Sequence, residues 1–135
     1  MNFLIVLLGL ISVAFCTEPG VPGILDCTYK CSGSKTTVVN PNNTAITNGC
    51  GDYGIMAAPS LLPNKEFLNC CNNHDICYET CNNVRATCDK TFKDCMRNSC
   101  KNWSCKLVAD SFYGAVQAFG CPSYLIKQKR ACLCV

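Results

Sequence analysis

The chain has 135 residues, of which 12 are basic and 9 are acidic, so its formal net charge is +3; it has 15 cysteines and one histidine. A net positive charge this small can neutralise few phosphates, which argues against a nucleic-acid-binding protein. The cysteine content of this domain-sized chain predicts an oxidising compartment, with disulfides that stabilise the fold by about 2–4 kcal/mol each.

The N-terminal segment, MNFLIVLLGLISVAFC, is almost wholly apolar and precedes a polar turn. It is too short for a comfortable membrane span and is typical of a secretory signal peptide, with Ala14 and Cys16 as the small residues before the cleavage site. Cleavage after Cys16 leaves fourteen cysteines, enough for seven bridges. We therefore predict a secreted, extracellular protein with a signal peptide over residues 1–16 and one domain over residues 17–135.

Zinc binding is the main alternative use for so many cysteines. The chain has no second histidine, and all-cysteine zinc sites belong mostly to reducing compartments. Disulfides are therefore the predicted state.

The chain divides near residue 63 into a part predicted as loops and a part predicted as helices. The first part is rich in Pro, Gly, Asn, Ser and Thr, and at most a short hairpin is expected between its β-branched runs at residues 36–39 and 44–47. Three helices are predicted after it, over about residues 64–81, 86–101 and 107–119. Asn64 is the expected cap of the first helix, and Gly120 and Pro122 are expected to end the third, followed by a tail.

The first two predicted helices each carry two cysteines that are seven residues apart. Seven residues at 3.6 per turn return to within about 20° of the starting direction, so each pair forms a seam along one side of its helix. A short loop makes the helices antiparallel neighbours, and in that register the facing residues are Cys70 with Cys95 and Cys77 with Cys88. Two bridges are therefore predicted to clamp the helices together.

The single histidine, His74, lies between the two predicted bridge levels. It lies roughly 50° from its seam, and Asp89 lies roughly 110° from the seam of the second helix. Both offsets turn to the same side of an antiparallel pair, so the two side chains are predicted to converge, with Asp75 projecting farther out beside them. An imidazole held against a carboxylate suits general-base catalysis, whereas a lone histidine on a helix is also often structural or exposed.

Two motifs in this region resemble those of the secreted phospholipase A2 family. CCNNHDICY at residues 70–78 resembles the family signature C-C-x-x-H-D-x-C-Y, and CDKTFKDC at residues 88–95 is similar to its second-helix motif. HDICYETC at residues 74–81, with no insertion before the second helix, and RACLC at residues 130–134 are similar to the group XII branch. The resemblance covers roughly residues 48–135. It implies a mainly α fold in which a disulfide-stapled antiparallel helix pair follows a loop-rich N-terminal part.

The resemblance implies calcium-dependent hydrolysis of the sn-2 ester of glycerophospholipids at a membrane or micelle surface, by a protein expected to be monomeric. His74 would be the general base, and Asp89 would orient it. Tyr78 would support the hydrogen bonds around Asp89, and Gly51 would offer its amide N–H to the oxyanion. A Cys50–Cys71 bridge would tie the calcium loop to the catalytic helix.

The resemblance also implies a set of Ca²⁺ ligands: the carboxylate of Asp75 and the backbone carbonyls of Gly49, Gly51 and Tyr53. Such oxygen ligands suit this hard cation. Most of the family has C-G-x-G-G in this loop, whereas this chain has CGDYG. Because glycines allow the tight curve of the loop, we expect a lower catalytic rate.

Two other functions stay compatible with these residues. One is a catalytically weak or inactive phospholipase A2-like module that binds a lipid or a receptor, which the CGDYG loop favours mildly. The other is a disulfide scaffold such as a toxin or a protease inhibitor, which would leave the His74-Asp75 dipeptide unexplained. The presence of both His74 and Asp89 favours the enzyme.

Overall fold

The computed structural model describes residues 27–52, 55–56, 60 and 62–135. The described elements are, in chain order, β1 (Thr37–Val39), β2 (Gly51–Asp52), β3 (Ile55–Met56), α1 (Glu66–Tyr78), α2 (Arg85–Asn98), α3 (Trp103–Phe119), α4 (Cys121–Ala131) and β4 (Cys132–Cys134). The predicted signal peptide and Tyr53 lie outside the described residues. Within the described part of the chain, none of the helices combines the length and apolar character needed to cross a membrane.

α1 and α2 lie side by side, as the cysteine spacing predicts. The disulfides Cys70–Cys95 and Cys77–Cys88 join them at two levels, with Cα atoms 5.8 and 5.7 Å apart. The levels are separated by about 10 Å along each helix, given a rise of 1.5 Å per residue, so the two helices can neither slide nor rotate freely. The predicted fold class, mainly helical and built on a disulfide-stapled antiparallel pair, is confirmed.

Asparagines fix the ends of this helix pair. The side chain of Asn64 accepts hydrogen bonds from the backbone N–H groups of Glu66 and Phe67, at 3.0 and 3.3 Å, which is the capping role predicted for it. α1 ends at Tyr78 rather than near residue 81. Asn82 then adopts a φ of +67°, a left-handed conformation that asparagine tolerates better than most residues, and the chain turns into α2.

α3 covers the helix pair and completes the core. It begins earlier than the predicted residue 107, because the side chain of Asn102 accepts a hydrogen bond from the N–H of Cys105 and so caps a longer helix. The three helices bury a common apolar cluster that includes Phe67, Phe92, Met96 and Ala109. α3 packs mainly against α2, and its Phe112 reaches Phe67 of α1, with the two ring centroids 5.9 Å apart.

The predicted tail after Gly120 is wrong, because the chain forms a further helix there. α4 begins at Cys121 and carries Pro122 in its first turn. Proline is tolerated at that position because the N–H that it lacks would have no partner inside the helix. The proline therefore marks a helix start here and not only the end of α3.

The expected hairpin between residues 36–39 and 44–47 is also wrong. β1 pairs instead with β4 in an antiparallel ladder whose register sets Thr37 opposite Cys134. The two strands come from opposite ends of the described chain, so no local turn signal announces their pairing.

Seven disulfides are present among the described residues, and they use all fourteen cysteines other than Cys16. This confirms the predicted number of bridges and the three expected pairings, including Cys50–Cys71. The four pairings that the sequence left open are Cys27–Cys121, Cys31–Cys134, Cys81–Cys132 and Cys100–Cys105.

Candidate active site

The helix pair brings the one histidine against an aspartate. Nε2 of His74, on α1, lies 2.8 Å from Oδ1 of Asp89, on α2, and both side chains are buried. Because a carboxylate only accepts hydrogen bonds, this contact puts the neutral ring's hydrogen on Nε2 and leaves Nδ1 as an acceptor. The two side chains thus meet as the seam geometry predicts.

Two aromatic rings fix the orientation of the His74 imidazole. The ring of Tyr78 has its centroid 4.1 Å from that of the imidazole, and the ring of Phe92 has its centroid 4.5 Å away. Nδ1 makes no hydrogen bond to any group in the part of the chain that the structure describes. The imidazole is therefore held by two neighbouring rings and at Nε2, while Nδ1 stays available to another molecule.

Asp89 has two further partners. The hydroxyl of Tyr78 donates a 2.6 Å hydrogen bond to Oδ1, the same oxygen that contacts His74. The guanidinium of Arg85 places Nε 3.6 Å from Oδ2, an ionic contact that is too long for a hydrogen bond. Tyr78 was expected to support this network, whereas Arg85 was missed, although its position one helical turn before Asp89 is a recognisable signal.

A cavity of about 650 Å³ adjoins His74, and Tyr78 and Gly51 also line it. Its volume is within the range typical of small-molecule sites. The opposite wall comes from α3 and is mostly apolar, with Phe112, Val116 and Phe119 as its large side chains. The arrangement sets a basic ring nitrogen beside an apolar compartment, a combination that suits a substrate with a long hydrocarbon chain.

The loop before β2 lies along the same cavity. Gly49 has a φ of +71°, a conformation that glycine adopts without strain, and a Cβ there would come within 3.1 Å of the Leu68 side chain. The disulfide Cys50–Cys71 ties the loop to α1. Gly49 and Gly51 thus both line the cavity, whereas Tyr53, the third expected carbonyl ligand, lies outside the described residues.

Asp75, the expected charged ligand for Ca²⁺, already has a cation from the chain itself. The ammonium of Lys127, on α4, lies 2.5 Å from Oδ1 of Asp75, and the N–H of Asn48 donates to Oδ2 at 3.0 Å. Both carboxylate oxygens are therefore engaged. In this arrangement the expected ligand set does not fit a metal ion, because an ion at Asp75 would have to displace the ammonium.

Comparison with known proteins places this chain in a family. The family model described as "Group XII secretory phospholipase A2 precursor" matches residues 19–135. Group XIIA secretory phospholipase A2 of Mus musculus and that of Homo sapiens are each 33% identical to this chain over 125 residues. The matched region covers 80% of this chain, 62% of the mouse protein and 63% of the human protein. The group XIIB secretory phospholipase A2-like protein of Mus musculus is 30% identical over 124 residues, 80% of this chain and 64% of its own.

The chain thus spans somewhat less than two thirds of the length of these curated relatives. No solved structure shows a significant match. The family model nevertheless covers nearly the whole chain, including both helices that hold the His74–Asp89 pair. The chain belongs to the group XII secretory phospholipase A2 family.

Proposed function

We propose that this chain is a secreted phospholipase A2 that hydrolyses the sn-2 ester of glycerophospholipids. The observation that carries the proposal is the 2.8 Å contact between His74 and Asp89 beside a cavity with an apolar wall. Membership of a family named for this activity supports it.

In the proposed reaction, Nδ1 of His74 takes a proton from a water molecule as the water oxygen attacks the sn-2 carbonyl carbon. Asp89 accepts the Nε2 hydrogen bond and stabilises the imidazolium that forms. The tetrahedral intermediate then collapses, and the imidazolium returns the proton to the leaving glycerol oxygen. The products are a free fatty acid and a lysophospholipid.

The oxyanion of the intermediate needs a hydrogen-bond donor, and the amide of Gly51 is the proposed one. Gly51 lines the same cavity as His74, which supports this role. A donor that is fixed before the reaction begins lowers the barrier more than a donor that must first reorient. Tyr78 is proposed to position Asp89 through its 2.6 Å hydrogen bond without touching the substrate.

The resemblance makes Ca²⁺ the expected cofactor of this reaction, and the backbones of Gly49 and Gly51 lie beside the cavity where oxygen ligands would be needed. Asp75 is the one carboxylate in the expected set, and it is paired with Lys127. The proposed steps therefore use only groups of the chain itself, and hydrolysis is to be measured both with added Ca²⁺ and with a chelator.

Secretion and action on a phospholipid surface as a monomer belong to the same proposal. Seven disulfides are typical of proteins that fold in an oxidising compartment, and the matched relatives are named as secretory. The apolar wall from α3 offers a path for an acyl chain from a lipid surface to His74.

A lipid-binding module without catalysis is the second candidate, and the Lys127–Asp75 pair is the observation that favours it. Two measurements on the same mixed phospholipid vesicles separate the candidates: fatty-acid release and co-sedimentation of the protein. The enzyme releases fatty acid and loses this activity in His74→Gln. A binding module sediments with the vesicles and releases no fatty acid at any Ca²⁺ concentration.

A further inference from the structure

The strongest unexplained feature of the molecule is a buried ion pair at the edge of the cavity. The Lys127 and Asp75 side chains are only 9% and 8% exposed, and Nζ lies 2.5 Å from Oδ1. Both residues line the cavity that His74 also lines. The proposed hydrolysis gives Lys127 no task, so its presence there calls for a separate explanation.

α4 is anchored so that Lys127 stays where it is. Its neighbour Gln128 is almost fully buried and donates hydrogen bonds to the carbonyls of Tyr78 and Thr80, at 2.7 and 2.8 Å. A disulfide anchors each end of the helix: Cys27–Cys121 at its start and Cys81–Cys132 just beyond its last residue. Lys127 therefore reaches Asp75 from a rigid support, not from a surface helix that is free to swing.

The charges of Lys127 and Asp75 balance each other, and among the described residues no further acidic side chain joins Asp75 in a metal-binding group. The remaining carboxylate oxygen of Asp75 accepts the amide N–H of Asn48. Within the described residues, no group of three His, Cys, Asp or Glu side chains is placed to hold a metal. Leaving an ionised, buried carboxylate without its partner charge is strongly destabilising, so the Asp75 carboxylate in its charged form needs a cation beside it in the folded state.

We propose that Lys127 is the resident cation of Asp75, and that Ca²⁺ binds at this carboxylate only by displacing the Lys127 ammonium. The chain then folds and assembles the His74–Asp89 pair without a metal ion, and Lys127 sets how much Ca²⁺ is needed to occupy the loop of Gly49 and Gly51. The ammonium and the ion compete for one carboxylate, so they lower each other's occupancy. This inference does not depend on the proposed hydrolysis.

The experiment compares the purified protein with Lys127→Met, without lipid, by thermal unfolding and by calorimetric titration with Ca²⁺. Lys127→Met is expected to unfold at a lower temperature in chelator, and to regain stability as Ca²⁺ is added. Its affinity for Ca²⁺ is expected to be at least about tenfold higher than that of the unchanged protein. A parallel titration with Mg²⁺ accounts for ionic strength.

Two further variants locate the effect. Lys129→Met removes a charge from an exposed position on the same helix and is expected to leave the Ca²⁺ response unchanged. Lys127→Met combined with Asp75→Asn removes both charges, and is expected to be more stable in chelator than Lys127→Met alone and to show no stabilisation by Ca²⁺.

Either of two results would overturn the proposal. One is that the unchanged protein binds Ca²⁺ as tightly as Lys127→Met does, which would mean that the ammonium does not compete. The other is that Ca²⁺ neither binds nor stabilises Lys127→Met, including the case in which this variant fails to fold both with and without Ca²⁺. If it folds only with Ca²⁺, the proposal is supported.

Discussion

Tyr78 and Asp89 share a buried hydrogen bond in which the phenol donates to Oδ1 over 2.6 Å. Burial of the phenol, together with its hydrogen bond to the Asp89 carboxylate, raises the pKa of Tyr78 far above its usual value of 10.0. The phenol therefore stays protonated in the folded protein at pH values at which an unfolded chain would lose the proton.

This shift makes a prediction about stability in alkali. Below about pH 10 both states keep the proton, so the contribution of Tyr78 to stability is fully present. Above that value the unfolded state binds fewer protons than the folded state, and stability falls as the pH rises. Tyr78→Phe is expected to be less stable at neutral pH, by about 1.5–3 kcal/mol, and to lose less stability between pH 9 and 11.

Thermal unfolding at a series of pH values tests this prediction. Tyr113→Phe is the matched control, because Tyr113 lies on α3, and its hydroxyl accepts a hydrogen bond from exposed Gln117 and does not bond to a carboxylate. It should follow the pH profile of the unchanged protein. A Tyr78→Phe profile that falls as steeply as the control would show that ionisation of this phenol is not linked to folding.

Arg85 is predicted to position the His74–Asp89 pair. Besides its ionic contact with Asp89, its guanidinium donates hydrogen bonds to the carbonyls of Val116 and Gln117, at 2.8 and 2.7 Å, so it joins the pair to the end of α3. Arg85→Met should lower kcat by about 10–100-fold with a smaller change in KM, since a misplaced base loses rate even when the substrate still binds.

The control for Arg85 is Arg97→Met on the same helix. That change removes a partly exposed pair with Asp110 and should cost at most about 1 kcal/mol of stability with little effect on kcat. Steady-state kinetics on phospholipid vesicles provide the comparison, and Arg85→Lys should restore part of the rate. Equal kcat losses in Arg85→Met and Arg97→Met would argue for a general loss of structure instead.

The Cys77–Cys88 disulfide is predicted to matter for both stability and activity. Its two cysteines have a sequence separation of 11 and lie close in sequence to His74 and Asp89. Replacing both cysteines with serine should lower the free energy of unfolding by about 3 kcal/mol and should also lower activity. The same change at Cys100–Cys105, which has a sequence separation of 5, should lower the free energy of unfolding by about 2 kcal/mol and leave activity nearly intact. Chemical unfolding and vesicle hydrolysis measure the two effects, and similar activity in both variants would contradict the clamping role.

The two ends of α3 differ in their predicted contact with lipid. Phe119 lines the cavity and is 70% exposed, while Trp103 is 74% exposed at the other end of the helix and does not line it. Seventeen residues at 1.5 Å per residue separate these ends by about 24 Å. Phe119→Asp should therefore weaken vesicle binding in a sedimentation assay, and Trp103→Asp should not. The reverse result would assign the lipid-facing surface to the start of α3.

The helix pair and its central contact were predictable because both follow from helical periodicity. Cysteines at seven-residue spacing fix the register of α1 against α2, and that register brings His74 and Asp89 together. The chemistry assigned to the pair stays a prediction until it is measured.

The parts that sequence reasoning missed depend on contacts distant along the chain. Lys127 lies 52 residues from Asp75, in a run of basic and polar residues that looks solvent-exposed. α4 itself was hidden because Pro122 is compatible both with the end of one helix and with the start of the next. Because α4 was not predicted, nothing in the sequence indicated that the Lys127 ammonium would lie beside Asp75.

Fatty-acid release in isotopically labelled water tests the proposed hydrolysis by His74 most directly. Vesicles of phospholipids that carry different acyl chains at sn-1 and sn-2 are treated with the unchanged protein, with His74→Gln and with Asn73→Gln, a control at an exposed neighbour on α1. Only the sn-2 acid is expected to be released, and it should carry one oxygen from the water. Of the two variants, only His74→Gln is expected to lower the rate, by about 10²–10⁴-fold, while remaining folded. Release of the sn-2 acid by His74→Gln at the rate of the unchanged protein would contradict the proposed role of His74.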